Sequence, residues 1–184
     1  MIVKKINISG ILIIEPDVFR DTRGAFAELW SSHRLAAEGL RETFVQDNVS
    51  WSTKGVLRGL HYQNPAAQGK LISVLEGEVF DVAVDIRRGS PTFGKWYGIV
   101  LSSANLRQLF LPPGFAHGFV VLSDQALFHY KCTAEYNKST EKTLLWNDPD
   151  IGIEWPVNNP IVSEKDRGGR PLKQFSPDEL FTHS

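Results

Sequence analysis

The sequence predicts an all-β jelly roll with one or two short helices. Roughly ten short runs of apolar and β-branched residues follow one another, separated by turn signals rich in Gly, Pro, Asp and Ser. One segment alone has the pattern of a helix with both a start and a stop signal. No repeat or linker interrupts the series. We therefore expect a single domain over residues 1–184, with a core from about 11 to 166 and a tail over 167–184.

The N-terminal quarter of the chain contains two predicted strands and a turn. The run ILIIEP predicts a strand ending at Pro16, and we expect this strand to present an apolar edge unless a partner covers it. The stretch DTRG (21–24) predicts a turn, and AFAELW (25–30) alternates like a strand.

The predicted helix covers SSHRLAAEGL (31–40). Ser31 or Ser32 can cap its start, and Gly39 can end it. Two further strands, FVQDNVSWST and GVLRGLHYQ, follow this helix.

The central segment KLISVLEGEVFDVAVDI predicts a hairpin, because two β-rich runs flank a turn at Gly77. In its second arm an alternating set of apolar residues shares one face: Phe80, Val82, Val84 and Ile86. Further strands are predicted in KWYGIVLS, LRQLFLPPGFAHGFVVLS and ALFHYKCTAEY. From Asn147 onward, Pro, Gly and Asp predict an irregular segment that wraps the surface.

Composition excludes several classes of protein. Lys and Arg number 20 and Asp and Glu 21, so a formal net charge of −1 indicates neither a nucleic-acid-binding nor a membrane-surface protein. The single Cys132 excludes an internal disulfide and a cysteine-based zinc site, and it fits a reducing cytoplasm. The apolar run Ile11 to Ile14 is too short for a signal peptide, and no apolar stretch is long enough to span a bilayer.

The histidines do not form a typical metal motif. Metal-binding jelly rolls often carry His-x-His on one strand, but Tyr62 and Gln63 follow His61 here. A second motif survives in part as Pro112-x-Gly114-x-x-His117. Two histidines without a suitably spaced carboxylate make a poor divalent site, so no metal is expected.

The stretch VLRGLHYQNPAAQGKL (56–71) places an arginine, a histidine and a lysine among leucines. Arg23, Arg58 and Lys70 could bind a phosphate or pyrophosphate, although each alone could equally lie on a solvated face. Strict alternation puts Arg58 and His61 on opposite faces of the strand. A bulge at Gly59 would bring them to the same side.

Three other residues could take part in proton transfer. An imidazole such as that of His61 suits a general base at neutral pH, Tyr130 lies in the middle of a strand, and Asp166 lies in the polar loop SEKD. Each could also be purely structural, so only their occurrence together indicates a catalytic site.

That set belongs to motifs that run in order from about Ile11 to Asp166. They are DTRGAFAELW, FVQDNVS, GVLRGLHYQNP, QGKLISVLEGEVFDVAVDIRRGSPTFGKW, LFLPPGFAHGFVVLSD, YKCTAEY, WNDPDIGIEWP and SEKD. Together they resemble the dTDP-4-dehydrorhamnose 3,5-epimerase family, and LRGLHYQ, PPGFAHGF and WNDPDIGIEWP are the most specific of them.

The resemblance implies a metal-free cupin jelly roll without a cofactor. It also implies a homodimer whose N-terminal strands exchange between subunits. The implied substrate is a dTDP-4-keto-6-deoxyhexose, and the implied reaction inverts C3 and C5 on the way to dTDP-L-rhamnose. By match to the family motifs, His61 is the base, Asp166 its partner, Tyr130 the acid on the opposite face of the sugar, and Lys70 the neighbour of the C4 keto oxygen.

The resemblance further implies a set of substrate-binding residues. Tyr136 matches an aromatic that stacks on thymine, and Arg58 and His117 match contacts to sugar or phosphate. The remaining positions are Arg23, Phe26, Glu28, Gln46, Asp47, Asn48, Glu141 and Lys165. Residues 137–146, around Glu141, depart from the family consensus.

Three alternatives remain open from the sequence. A relative that inverts only C3 or only C5 could use the same histidine, lysine and tyrosine. A non-catalytic sugar-nucleotide binding protein would not need both acid and base. A metal-dependent cupin oxygenase or isomerase would need the metal ligands that the His61 motif lacks.

Overall fold

In the computed structural model, which describes residues 1–183, the strands form two antiparallel sheets that pack face to face, as the sequence predicted. Within residues 1–183 the strands are, in chain order, β1 (Ile2–Lys5), β2 (Leu12–Glu15), β3 (Val18–Asp21), β4 (Gly24–Ala27), β5 (Gln46–Thr53), β6 (Val56–Gln63), β7 (Lys70–Glu76), β8 (Glu78–Asp85), β9 (Arg87–Arg88), β10 (Trp96–Ser102), β11 (Gln108–Leu111), β12 (Phe115–Val121), β13 (Gln125–Cys132), β14 (Glu141–Thr143), β15 (Ile161–Val162) and β16 (Phe181–Thr182).

The first sheet has the order β1-β2-β11-β7-β13-β5, and the second has the order β10-β8-β12-β6-β14, with β15 pairing in parallel with β6. Two small pairs stand apart from them: the hairpin β3–β4 and the parallel pair β9–β16. The helices are short: α1 (Ser32–Ala37) and α2 (Glu164–Arg167), with 3₁₀ turns at Leu172–Gln174 and Pro177–Glu179. No helix within these residues is long and apolar enough to cross a membrane.

The predicted central hairpin is wrong in its pairing. A turn does lie at Gly77, which has φ +76°, but β7 pairs with β11 and β13 while β8 pairs with β10 and β12. The chain therefore crosses from one sheet to the other at Gly77. Local pattern could not reveal this crossing, because both strands are covered on two sides and carry nearly continuous apolar runs.

The predicted edge position of ILIIEP is also wrong. The strand β2 lies between β1 and β11, and Ile11 and Ile14 are buried. The outer position belongs to β1, a strand that the sequence analysis did not recognise in the residues before Ile11.

The main core fills the space between the two sheets. Phe119 from β12 stacks on Phe128 from β13 with ring centroids 3.9 Å apart, and Ile72, Val74 and Leu109 pack around them. Because these aromatic rings come from opposite sheets, they hold the sheets together next to the cavity described below.

The outer faces of both sheets are covered as well. Phe80, Val82 and Val84 share one face of β8, and Ile86, directly after the strand, packs in the same cluster, as predicted. The C-terminal tail covers this face with Leu172, Phe175 and Leu180. The tail is largely irregular, as expected, but these side chains make it part of a second core.

The helix α1 covers the first sheet and confirms the predicted helix. The Ser31 hydroxyl oxygen accepts a hydrogen bond from the Arg34 backbone N–H at 3.4 Å, and Gly39 follows the end of the helix at φ +94°. Leu35 packs on Ile14 and Leu71.

A bulge interrupts β6 at Gly59, as the sequence predicted. In the pairing with β12, His61 is opposite His117 and Arg58 is opposite Phe119, so β6 has one extra residue between these two pairs. Gly59 has φ +128°, and an added Cβ would lie 2.6 Å from the Gly118 Cα. Glycine is therefore required at this position both by backbone conformation and by space.

We predict that Gly59→Ala lowers stability by about 3 kcal/mol or more, which is roughly a 6–12 °C drop in the unfolding midpoint. Gly55→Ala is the matched control, because Gly55 also has positive φ (+78°) but has nothing within 4 Å of the added Cβ. This control should lose only about 1–2 kcal/mol. Thermal unfolding at one protein concentration measures both variants, and equal losses would contradict the steric account.

Candidate active site

A cavity of about 590 Å³ opens between the two sheets beside the Gly59 bulge. Its walls come from β5, β7 and β13 of the first sheet and from β6 and β12 of the second, with α2 at one side. The structure brings eight of the predicted site residues to this cavity: Asn48, Arg58, His61, Lys70, His117, Tyr130, Lys165 and Asp166.

A short hydrogen bond joins His61 to Asp166. The distance from His61 Nε2 to Asp166 Oδ1 is 2.6 Å, and the carboxylate side chain is almost fully buried. Ser163 caps α2 by accepting from the Asp166 backbone N–H, and Asp166 Oδ2 accepts from the Gly59 N–H at 3.3 Å. The bulge and the helix start therefore fix this carboxylate from two sides.

The environment keeps Asp166 ionised. Burial by itself would raise the pKa of the Asp166 carboxyl, but the hydrogen bond with His61, the Coulomb attraction of that ring and the Gly59 N–H together hold it below its ordinary value. A carboxylate only accepts hydrogen bonds, so the proton of the short bond belongs to Nε2 of His61. The lone pair of a neutral His61 ring is then on Nδ1, which has no hydrogen-bond partner within residues 1–183.

Lys70 faces His61 from the other sheet. Its Nζ lies 5.9 Å from the centroid of the Tyr130 ring, and it makes no ion pair or hydrogen bond within residues 1–183. Burial lowers the pKa of Lys70, while the negative charges of Asp81 and Glu141 act in the opposite direction. An ammonium without a protein partner in a confined space is available to an anionic or carbonyl oxygen.

Tyr130 also lines the cavity from the first sheet, on β13. Burial raises the pKa of Tyr130 to about 12, with smaller contributions from nearby negative charges. The phenol is therefore protonated at neutral pH, as a proton donor must be. His61 and Tyr130 stand on facing sheets, so a flat molecule between them would present one face to each.

Arg58 is held at the mouth of the cavity. Its Nε donates to the Ser52 hydroxyl oxygen at 3.0 Å, and one terminal nitrogen donates to the Trp51 carbonyl oxygen at 3.4 Å. No carboxylate pairs with this guanidinium within residues 1–183, so it can bind an anion.

A hydrogen-bonded group continues the mouth of the cavity. Lys165 Nζ lies 2.6 Å from Glu141 Oε2, and the Tyr136 hydroxyl donates to the same oxygen at 2.9 Å. Burial alone would raise the pKa of Glu141, but the bonds from Lys165 and Tyr136 bring it below its ordinary value. Gln46 accepts from the Tyr136 N–H at 2.7 Å and donates to Asn48 at 2.8 Å.

Four predicted residues lie away from this cavity in the same chain. Asp47 points to the opposite face of β5 and pairs with Lys131 Nζ at 2.9 Å. Arg23 and Phe26 belong to the hairpin β3–β4, where Arg23 pairs with Asp21 and its side chain is 88 % exposed. Glu28 follows this hairpin and pairs with Arg34 at 3.0 Å.

Asp81 was not among the predicted residues. It is a fully buried carboxylate on β8 that accepts from His117 Nε2 at 3.0 Å through each of its oxygens. An acidic residue inside the apolar run VFDVAVDI was the available signal. The second acid of that run, Asp85, instead binds Arg87, Ser90 and Thr92 in a surface turn.

The described residues contain no group of three or more His, Cys, Asp and Glu side chains placed to hold a metal ion. Each of the two cavity imidazoles is bonded to one carboxylate through Nε2.

Comparison with known proteins finds one family model that matches most of the chain. The family model described as dTDP-4-dehydrorhamnose 3,5-epimerase matches residues 5–174. The dTDP-4-dehydrorhamnose 3,5-epimerase of Shigella flexneri is 58% identical over 92% of this chain and 95% of its own length. That of Methanothermobacter thermautotrophicus is 50% identical over 92% of this chain and 94% of its own length.

A solved structure agrees with these relatives. The dTDP-6-deoxy-D-glucose-3,5-epimerase of Legionella pneumophila Philadelphia 1, in complex with dTDP-4-keto-L-rhamnose, has a TM-score of 0.96 and 48% identity. The match covers 99% of this chain and 98% of that one. With nearly the whole chain matched in sequence and in fold, the chain belongs to the dTDP-4-dehydrorhamnose 3,5-epimerase family.

Proposed function

We propose that this protein inverts C3 and C5 of dTDP-4-dehydro-6-deoxy-D-glucose to give dTDP-4-dehydro-L-rhamnose, with His61 as the base and Tyr130 as the acid. One observation carries this assignment of roles: a carboxylate-bound imidazole and a protonated phenol line one cavity from opposite sheets, and the unpaired Lys70 side chain lines the same cavity beside the phenol.

The chemistry begins at the C4 ketone of the substrate. The hydrogens on C3 and C5 are acidic only if the enolate that forms on their removal is stabilised. The Lys70 ammonium supplies this stabilisation at the keto oxygen, and the half-closed cavity limits competition from water. Because the substrate already carries its ketone, proton transfer needs no cofactor.

Inversion requires two proton-transfer groups. His61 Nδ1 removes the hydrogen from one face of the sugar, and the Tyr130 hydroxyl returns a proton to the other face of the same carbon. Solvent then restores the phenol and removes the proton from the imidazole, so that the enzyme returns to its starting state. The same pair acts at C3 and at C5 in turn.

Asp166 supports the base without touching the sugar. Its carboxylate orients the ring through Nε2 and stabilises the imidazolium that forms when His61 takes up a proton. The buried position of Asp166 strengthens this interaction.

The charged mouth of the cavity fits the nucleotide half of the substrate. Arg58 and Lys165 provide positive charge for the pyrophosphate, and the exposed ring of Tyr136 provides a face for the thymine. Gln46, Asn48 and Glu141 hold these groups in place and can contact the nucleoside themselves.

The predicted residues Arg23, Phe26 and Glu28 fit a homodimer of single-domain subunits with exchange of N-terminal strands. The β3–β4 hairpin leaves Phe19 and Phe26 exposed by 63% and 68%, an unusual cost for two large apolar rings in water. In a dimer this hairpin can place Arg23, Phe26 and Glu28 at the cavity of the partner subunit. A cytoplasmic location accords with the composition and with a nucleotide-sugar substrate.

We predict different deuterium patterns for the two proton-transfer residues in D₂O. His61→Ala should stop both inversion and deuterium uptake at C3 and C5, because no proton leaves. Tyr130→Phe should retain deuterium uptake on one face while inversion falls by about 10²–10⁴-fold, the range for a lost general acid. One NMR time course with the 4-keto sugar nucleotide measures both. Wild-type inversion in Tyr130→Phe would remove this residue from the mechanism.

We predict that an Arg23→Ala chain and a His61→Ala chain complement each other in mixed dimers. If the hairpin serves the partner, each mixed dimer contains one intact cavity, so co-refolding equal amounts should recover about a quarter of wild-type activity at low substrate. The control mixes His61→Ala with Tyr130→Phe. Both residues line the cavity of their own chain, so every cavity in the mixed dimers carries one lesion and no activity should be recovered. No recovery in the first mixture would contradict a role of this hairpin at the partner's cavity.

A further inference from the structure

Asp81 and His117 form a second carboxylate–imidazole pair beside the first. Asp81 is 0 % exposed, and both of its oxygens lie 3.0 Å from His117 Nε2. The two residues are on neighbouring strands, β8 and β12, and His117 lines the cavity with Asp81 behind it. Burial of a carboxylate is costly, and a surface position would avoid that cost, so this placement calls for a role.

The other ring nitrogen of His117 opens to the cavity. Nδ1 has no hydrogen-bond partner within residues 1–183. Other unpaired side-chain atoms in that range are completely buried, but Nδ1 of His117 is not one of them, so it retains some accessible surface. His117 lines the cavity and is otherwise buried, with its ring against Phe128. The exposed part of the ring is therefore the part that can meet a bound molecule.

The surroundings keep this ring neutral. Burial lowers the pKa of His117, the charge and hydrogen bond of Asp81 oppose this without prevailing, and Lys70, together with His61 whenever that ring is protonated, lowers the pKa of His117 further. The groups that face it are Asp81 from β8, His61 from β6 and Lys70 from β7. A neutral imidazole has one donor and one acceptor nitrogen, and its donor here is committed to Asp81.

We propose that Asp81 is a positioning residue: by accepting from Nε2 it holds His117 in the tautomer whose Nδ1 accepts a hydrogen bond from a ring hydroxyl of the sugar. The proposal rests on the proposed function for the identity of the ligand. His117 Nδ1 would then be a hydrogen-bond acceptor in the same cavity as the Lys70 donor. A sugar hydroxyl can donate to Nδ1, whereas a carbonyl oxygen can only accept from Lys70, so the two side chains distinguish these groups.

The tautomer can be tested without substrate. In ¹⁵N-histidine-labelled protein, His117 should show a protonated Nε2 and an unprotonated Nδ1, with its signals identified by their loss in His117→Gln. Asp81→Asn removes the charge that fixes this state, and the Nδ1-protonated form should become detectable. A wild-type ring protonated on Nδ1, or an unchanged tautomer in Asp81→Asn, would overturn the proposal.

Asp85→Asn is the matched control, because Asp85 is equally buried on the same strand but binds only the turn residues Arg87, Ser90 and Thr92. It can lower stability, but it should leave the His117 signals and the activity of the folded protein unchanged. A tautomer change in this variant equal to that in Asp81→Asn would show a general effect of lost buried charge and would overturn the specific role.

The contact with the sugar can be tested with dTDP-sugar analogues that each lack one ring hydroxyl, with affinity measured by calorimetry. Wild-type protein should bind one of these analogues about 3- to 10-fold more weakly than the dTDP-sugar that has all its hydroxyls. Asp81→Asn should bind these two compounds equally well, and its relative affinities for the other analogues should match those of wild-type protein. Full discrimination in Asp81→Asn counts against the proposal. Failure of wild-type protein to bind or turn over any dTDP-sugar would instead contradict the proposed function, and the tautomer measurement would still stand.

If Asp81→Asn does not fold, the wild-type protein alone remains decisive. The Nδ1 resonance of His117 should shift when the parent dTDP-sugar binds and should not shift with the analogue that lacks the contacted hydroxyl. Equal shifts with every analogue would show that Nδ1 accepts nothing from the sugar.

Discussion

The structure depends on the hydrogen bonds that converge on one buried carboxylate. Asp166, more than a hundred positions after β6 in the chain, accepts from His61 and from the Gly59 N–H. The same carboxylate therefore stabilises the bulge in β6, the placement of α2 and the orientation of the His61 imidazole, the proposed base. A buried carboxylate with fewer donors would be protonated or expelled, so the fold and the ionised state of Asp166 depend on each other.

The sandwich divides the proposed reaction between its two sheets. The base and its carboxylate are on the second sheet and α2, whereas Tyr130 and Lys70 are on the first. The stacked rings of Phe119 and Phe128 join the sheets beside the cavity and fix the separation between these groups. Two rigid walls with opposite roles suit a reaction in which a proton leaves one face of a sugar and another arrives on the opposite face.

Much of this site could be predicted from the sequence, because most of its residues lie in motifs that resemble those of the epimerase family; taken singly, each of them could equally have been structural. Gly59 between Arg58 and His61 predicted the bulge, and alternation along β6 then implied that both side chains reach one cavity. Pairing between strands was less accessible: the segments around Gly77 have the pattern of a hairpin, yet they separate into two sheets. Asp81 was not predicted because the apolar run of β8 contains two acids, Asp81 and Asp85, and local sequence does not show which of them faces the cavity side; its partner His117 is 36 residues away. Arg23 lies on the exposed β3–β4 hairpin, away from the cavity of its own chain, and no local pattern in the sequence indicates this distance.

The central claim is that one cavity inverts two carbons of the same sugar. The most direct test measures the configuration and the deuterium content of the product at C3 and at C5. Wild-type protein incubated in D₂O with dTDP-4-dehydro-6-deoxy-D-glucose should give a product inverted at both C3 and C5, with one deuterium at each, as shown by NMR and by mass. Inversion and labelling at only one of these carbons, with the other retaining its hydrogen and configuration at completion, would contradict the account.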